Sequence, residues 1–200
     1  MENKVKTFIS YSHGYKNNIL FENLRDTLKN KGYILDFSEK EDKSEYSIQT
    51  IWDYLASRIK QSSCTILLMT QDLLFKNKHK ISYIPNDFEH SGWIYKEISA
   101  SLRDWKENRI NALICVCEDE YVHHIVNSGH YYNNVVTIRD KYPEWCPEII
   151  SLNEWYIEFV SYDQFIKNPE YYINNALWKR RRQIESYGNA YSICYDPHNN

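Results

Sequence analysis

Two rhythms of apolar and polar positions alternate over the first 120 residues: short continuous apolar runs, and stretches where apolar residues recur every third or fourth position. "VKTFISYS" (5–12) is β-branched and aromatic and ends in small polar residues, so it predicts a strand whose carboxyl end opens into the loop "HGY". From Lys16 to Lys31, Ile19, Leu20, Asn23, Leu24, Thr27 and Leu28 approximate helical spacing, and "KNKG" supplies basic residues and a glycine stop. "YILDF" (33–37) predicts a second strand, followed by an exposed acidic, lysine-bearing loop over 38–46. Ile48, Ile51, Trp52, Leu55 and Ile59 mark a second amphipathic helix. "CTILLMT" (64–70) is a continuous apolar run of strand length, the pattern of a strand covered on both faces of a parallel sheet, and "INALICVCED" (110–119) reads as another buried strand. Between them "GWIYKEISASL" (92–102) returns to helical spacing. This alternation of strand and helix predicts an α/β fold, a mostly parallel central sheet flanked by helices, with right-handed crossovers.

The remaining third is less regular. "WYIEFVSY" (155–162) predicts a last strand, and Asp163 is the expected cap of a helical region containing residues 165–185. Pro169 either begins a second helix there or kinks a single one. Residues 120–154 read as loops and short elements. The segment 71–91 fits a functional loop, a short helix or a disordered stretch equally well. Two hundred residues with 42% hydrophobic content suit one good core. The expected organisation is a single domain over 1–186, with its core in 5–120 and a C-terminal strand and helices in 155–186, followed by an irregular tail over 187–200.

Composition narrows the classes. "TILLM" and "ALICVC" are far too short to span a bilayer and "MENKVKTFIS" lacks a signal-peptide apolar region, so a soluble cytoplasmic protein with no membrane partner is expected. Five cysteines, three of them inside apolar runs, are expected as reduced, buried thiols. The net charge of −3 and the dispersed basic residues argue against a nucleic-acid footprint; the exception, "KRRR" (179–182), reads as the solvated face of a terminal helix. Aromatics reach 16%, which suits interfaces and ligand clefts as well as cores and ordinary surfaces.

In open α/β sheets ligands bind outside the carboxyl ends of the strands, which here carry "SYSH" (10–13), "DFSEK" (36–40), "MTQD" (69–72) and "CED" (117–119). Neither GxGxxG nor GxxxxGK[ST] occurs, which disfavours a Rossmann dehydrogenase and a P-loop NTPase. No histidine or cysteine spacing matches a zinc site, and no GxSxG or cysteine-nucleophile signature is present, so neither a metal nor a Ser or Cys nucleophile is expected. Glu97 stands apart geometrically. At about 100° per residue, Ile94, Ile98, Leu102 and Trp105 share a stripe roughly 80° wide, with Glu97 roughly 60° outside its edge and Trp93 about 40° further round. A carboxylate on that shoulder either is solvated or borders a cleft between the helix and a neighbouring loop.

"FISYSH" at a first strand, "YILDF" before a polar loop, "CTILLMT" as third strand and "GWIYKEI" opening the next helix together resemble a TIR domain. They look most like the TIR-like proteins of the bacterial Thoeris anti-phage system, the ThsB group, with a late "F(I)xNPEYYI" segment matched by Phe165 to Ile173. The likeness covers roughly residues 5–120 and resumes near the C-terminus. It implies a flavodoxin-like TIR fold and cleavage of the nicotinamide–ribose bond of NAD, with NAD as substrate and no cofactor. The family's catalytic glutamate follows a tryptophan by four residues, which carries over to Glu97 through Trp93. By position, Ser10, Tyr11, Ser12 and His13 after the first strand, and Asp36 and Phe37 after the second, would line the nucleotide site. Ser10 and Ser12 would bond phosphate or ribose oxygens, and Tyr11, Phe37 or Trp93 would stack on nicotinamide or adenine.

The long 71–91 segment and the acidic 39–45 loop depart from many TIR adaptors and bear on the shape of the pocket. The resemblance implies a cyclic or conjugated ADP-ribose messenger read by a separate effector protein, with a phage-derived trigger and self-association as further candidate interactions. Two other readings stay open: a non-catalytic TIR scaffold, with Glu97 as a surface charge and tyrosines as contact patches, and a nucleoside-processing enzyme of similar α/β layout. Residues 120–160 either complete the sheet, cover the cleft or bind a viral component.

Overall fold

The computed structural model describes residues 5–12, 14–31, 34–36, 47–70, 92–103, 109–119, 150 and 153–187. In chain order the elements are β1 (Val5–Ser10), α1 (Tyr15–Asn30), β2 (Ile34–Asp36), α2 (Ile48–Gln61), β3 (Cys64–Met69), α3 (Gly92–Ser101), β4 (Ala112–Cys117), β5 (Glu158–Ser161), α4 (Tyr162–Lys167) and α5 (Pro169–Tyr187). The five strands form one sheet in the order β2-β1-β3-β4-β5, with every pairing parallel. This is the parallel α/β arrangement that the alternating rhythms predict, in the flavodoxin-like order that the resemblance implies.

Helices cover both faces. Ile9, Ile66, Leu68, Ile114 and Val116 point to one side and pack against Phe21, Leu24 and Leu28 of α1 and Phe165 and Ile173 of α4 and α5. Leu67, Met69, Cys115 and Cys117 point to the other side and pack against Ile98 and Leu102, while Phe8 meets Leu55 and Ile59 of α2 and Ala100 of α3. All six side chains of β3 and all six of β4 are buried, which is why both read as unbroken apolar runs. Ser47 starts α2 by accepting the Thr50 N–H at 3.1 Å, and Arg58 and Lys60 sit in its last turn, where they complement the helix dipole.

The C-terminal third completes the sheet through β5, but three expectations there need correction. The last strand starts at Glu158, because residues 153–157 form a turn closed by the Tyr156 and Ile157 N–H groups on the Asn153 carbonyl, at 2.9 and 3.1 Å. That turn buries Tyr156, whose hydroxyl donates to the Asn111 carbonyl at 2.5 Å, and exposes Trp155. The cap of α4 is Ser161, whose hydroxyl accepts the Gln164 N–H; Asp163 lies in the first turn and donates its own N–H to the Asp119 carboxylate at 3.2 Å.

"KRRR" is only half a solvated face. Lys179 donates to the Ile157 carbonyl at 2.7 Å and pairs with the buried Glu158 carboxylate at 2.8 Å, and Arg180 donates to the Ile110 carbonyl at 2.5 Å. Arg181 and Arg182 remain exposed. These basic groups reach back along their aliphatic stems to carbonyls just ahead of β4 and β5, and so fasten α5 to the sheet. Pro169 is the first residue of α5, the position where its missing N–H costs nothing, so it begins a second helix and does not kink one. Among the described residues, no helix is long and apolar enough to cross a membrane.

Candidate functional site

β1 has β2 on one side and β3 on the other, so the chain leaves β1 in one direction and returns past it in the other. Such a reversal leaves a crevice at the carboxyl ends of the two central strands, here β1 and β3. Ser10 is the last residue of β1 and is aligned with Leu67 of β3. Strand alternation turns Ser10 to the same face as Phe8, the face on which α3 lies.

There Ser10 meets Glu97. Its hydroxyl donates to Glu97 Oε2 at 2.5 Å, joining the end of β1 to the middle of α3 across 87 positions of sequence. Glu97 is only 8% exposed, so the solvated alternative for this carboxylate is removed. A carboxylate taken from water demands hydrogen bonds, and the Ser10 hydroxyl supplies one of them. The helix places it there because the stripe beside it anchors: Ile98 and Leu102 are fully buried and Ile94 packs against the same core, which carries Glu97 to the sheet edge. Trp105 lies outside the described residues.

The other expected site residues separate. Tyr11 points to the opposite face and stacks on Phe21, with ring centroids 4.3 Å apart and planes 7° from parallel, so one face of the ring is committed to α1. Ser12 is buried, and its carbonyl accepts from the Asn17 side chain at 2.7 Å, which ties the loop after β1 to the first turn of α1. For Asp36 and Trp93 the structure describes the backbone alone, at the end of β2 and in the first turn of α3. His13 and Phe37 lie outside the described residues.

Two further groups at this edge were not singled out by sequence. Thr70 directly follows β3, is 1% exposed, and its hydroxyl has no hydrogen-bond partner among the described residues. Leaving a buried hydroxyl without a partner costs about 1–3 kcal/mol, and Thr70 carries such a group at the carboxyl end of β3. Its signal was the hydroxyl in "MTQD", the residue where an apolar run stops, which reads equally as a turn. Glu118, directly after β4, is buried and ion-paired with Lys16 in the first turn of α1. Among the described residues the carboxyl edge therefore carries two buried carboxylates, Glu97 held by a hydroxyl and Glu118 by an ammonium.

The thiols stand aside from this chemistry. Cys64 and Cys117 are buried and pushed up from 9.0 to about 12, mainly by loss of solvent, with the Asp119 carboxylate adding to the shift at Cys117 and Arg180 opposing it at Cys64. Thiols at that level are neutral packing groups, neither nucleophiles nor ligands at neutral pH. No group of three or more His, Cys, Asp or Glu side chains that could hold a metal occurs among the described residues. No protein-family model matches the chain, and no curated protein matches it.

Proposed function

We propose that the protein is a TIR-type NAD-cleaving enzyme of anti-phage defence that breaks the nicotinamide–ribose bond with Glu97 as its catalytic carboxylate. The observation that carries this reading is a buried glutamate, bonded by the Ser10 hydroxyl, at the carboxyl end of β1, where the strand order reverses between β1 and β3. The order of "FISYSH", "CTILLMT" and "GWIYKEI" along the chain supports it.

Nicotinamide is already cationic in NAD, so it departs as a neutral base and the positive charge passes to the ribose. An oxocarbenium-like centre is stabilised by a negative charge held close to it in a site shielded from water. Glu97 supplies that charge and accepts from ribose hydroxyls, while Ser10 limits its rotation. Attack on the cation by another part of the same nucleotide, or by a second nucleophile, gives a cyclic or conjugated ADP-ribose. Such a product serves as a diffusible messenger to a separate effector protein.

The test is incubation of the pure protein with NAD, alone and with phage-infected lysate, with nicotinamide and nucleotide products resolved by chromatography. Equal turnover by wild type and Glu97→Gln would remove Glu97 from the reaction. The second reading, a scaffold acting by self-association or TIR–TIR binding, is favoured by the exposed aromatics Tyr171 and Trp178 on α5. Concentration-dependent assembly, indifferent to Glu97→Gln and accompanied by no NAD turnover, would support that reading.

A further inference from the structure

Behind Glu97 runs a chain of buried hydrogen bonds whose direction is determined. The Asn111 side-chain amide donates to the Ile59 carbonyl at 3.2 Å and to Thr65 Oγ1 at 3.1 Å, so both of its hydrogens are engaged. Thr65 Oγ1 and Ser101 Oγ lie 2.8 Å apart, and Ser101 Oγ donates to the Glu97 carbonyl at 2.7 Å. With its proton committed to Glu97, Ser101 receives the Thr65 proton. The order is Asn111 to Thr65 to Ser101 to the main chain of Glu97. The Asn111 N–H also donates to the Ser101 carbonyl at 2.7 Å, so the end of α3 is gripped twice. Thr65, Ser101 and Asn111 are all buried.

We propose that Thr65 and Ser101, oriented by Asn111, are positioning residues that set the register of α3 on the sheet and thereby hold the Glu97 carboxylate against Ser10. The geometry behind this is a match of two spacings. Glu97 and Ser101 are one turn apart on α3, about 6 Å along the helix. Their partners Ser10 and Thr65 sit two strand positions apart, since Ser10 is level with Leu67, which is about 6.6 Å along the sheet. The helix is therefore pinned at two points of equal pitch, and sliding or rotating it by one residue breaks both bonds together. Apolar packing alone would tolerate small slides. A valine at 65 and an alanine at 101 would fill nearly the same space and bring no polar group of their own, so the hydroxyls contribute direction rather than burial, and the valine also strands the second Asn111 amide hydrogen.

The inference rests on Glu97 being the reacting carboxylate, so its test has a readout independent of turnover. Thr65→Val, Thr65→Ser, Ser101→Ala and the Thr65→Val/Ser101→Ala double variant are compared in nicotinamide release from NAD and in amide hydrogen exchange across α3. Thr65→Val and Ser101→Ala are each expected to lower kcat about tenfold with KM within about twofold, the loss of roughly one hydrogen bond's alignment. Thr65→Ser returns kcat to within about twofold of wild type, and the double variant is no slower than the slower single one, because both break the same chain. The Ser101 and Leu102 amides exchange faster in the two impaired variants, while those of β3 and β4 do not. Ser101→Ala, which installs the best helix former, carries the test if Thr65→Val does not fold.

Losses that multiply in the double variant, a Thr65→Ser protein as impaired as Thr65→Val, or unchanged α3 exchange would each overturn the positioning role. A wild type that cleaves no NAD, in variants whose α3 loosens selectively and is restored by Thr65→Ser, would sustain the positioning role and overturn the NAD reading.

Discussion

Replacing Glu97 by glutamine separates a carboxylate kept for chemistry from one kept for the fold. The substitution preserves volume and leaves an acceptor for Ser10, whose hydroxyl lies 2.5 Å from Oε2. A hydrogen bond to a charged group contributes about 1.5–3 kcal/mol and a neutral one about 0.5–1.5, so the bond weakens by about 1 kcal/mol. Removing a charge from an environment only 8% exposed offsets that loss. The net stability change should lie within about 1 kcal/mol, a Tm shift of about 2–4 °C for a chain of this size. The effect on catalysis is of another order. A unit negative charge about 4 Å from a developing cation, at an effective dielectric of about 20, stabilises it by about 4 kcal/mol, and its loss slows the chemical step about a thousandfold. Circular dichroism melts and chromatographic nicotinamide release, run on the same preparations, measure both quantities. A folded Glu97→Gln protein that turns over NAD at the wild-type rate refutes the chemical role. A melting temperature lowered by more than about 10 °C refutes the claim that the carboxylate is dispensable to the fold.

Thr70→Val, which removes a buried hydroxyl that has no partner among the described residues, should leave urea stability unchanged or raise it by about 1 kcal/mol while raising KM for NAD; a loss of stability would show that the hydroxyl is satisfied within the fold. Tyr156→Phe removes the donor to the Asn111 carbonyl and should cost about 1 kcal/mol in urea unfolding with no change in m-value; no measurable change would mean that the turn at 153–157 is held by its main-chain hydrogen bonds and apolar contacts without this bond. The two raised thiols make stability fall in alkali: folded Cys64 and Cys117 keep their protons up to about 12, whereas the unfolded chain releases them from 9.0. Their contribution is complete below pH 9 and is lost as pH rises from there towards 12, about 3 kcal/mol for the pair by pH 10. Urea midpoints at pH 8 and pH 10 should show this drop in wild type, and the Cys64→Ala/Cys117→Ala variant should lack that part of it.

The strands that were legible were those whose burial leaves no doubt about period. β3 and β4 are covered on both faces, and the residues between them return to helical spacing, so an α/β alternation was the natural solution. The sequence overextends β5 because Trp155, Tyr156 and Ile157 carry strand-like side chains in a turn, and a hydrogen bond to Asn111, 45 positions away, is what places Tyr156 there. Glu97 fell outside its helix's apolar stripe because periodicity registers only the core beneath a helix, not the strand end beside it. Ser10, whose hydroxyl Glu97 accepts, lies 87 positions earlier. "KRRR" misled for a similar reason: charge predicts solvent, while the Ile110 and Ile157 carbonyls that draw Arg180 and Lys179 inward belong to distant backbone.

The sheet's order also sets a schedule for synthesis. β4 finds β3 as soon as it emerges, but β5, which covers its other edge, follows only after about forty further residues, the interval from Cys117 to Glu158. At about 5–20 residues per second, the apolar "ALICVC" ladder spends several seconds as an open edge with unpaired N–H and C=O groups, a template for pairing with another nascent chain. A chain interrupted between 118 and 157 would keep that edge permanently, so aggregation rather than simple loss of function is its expected fate.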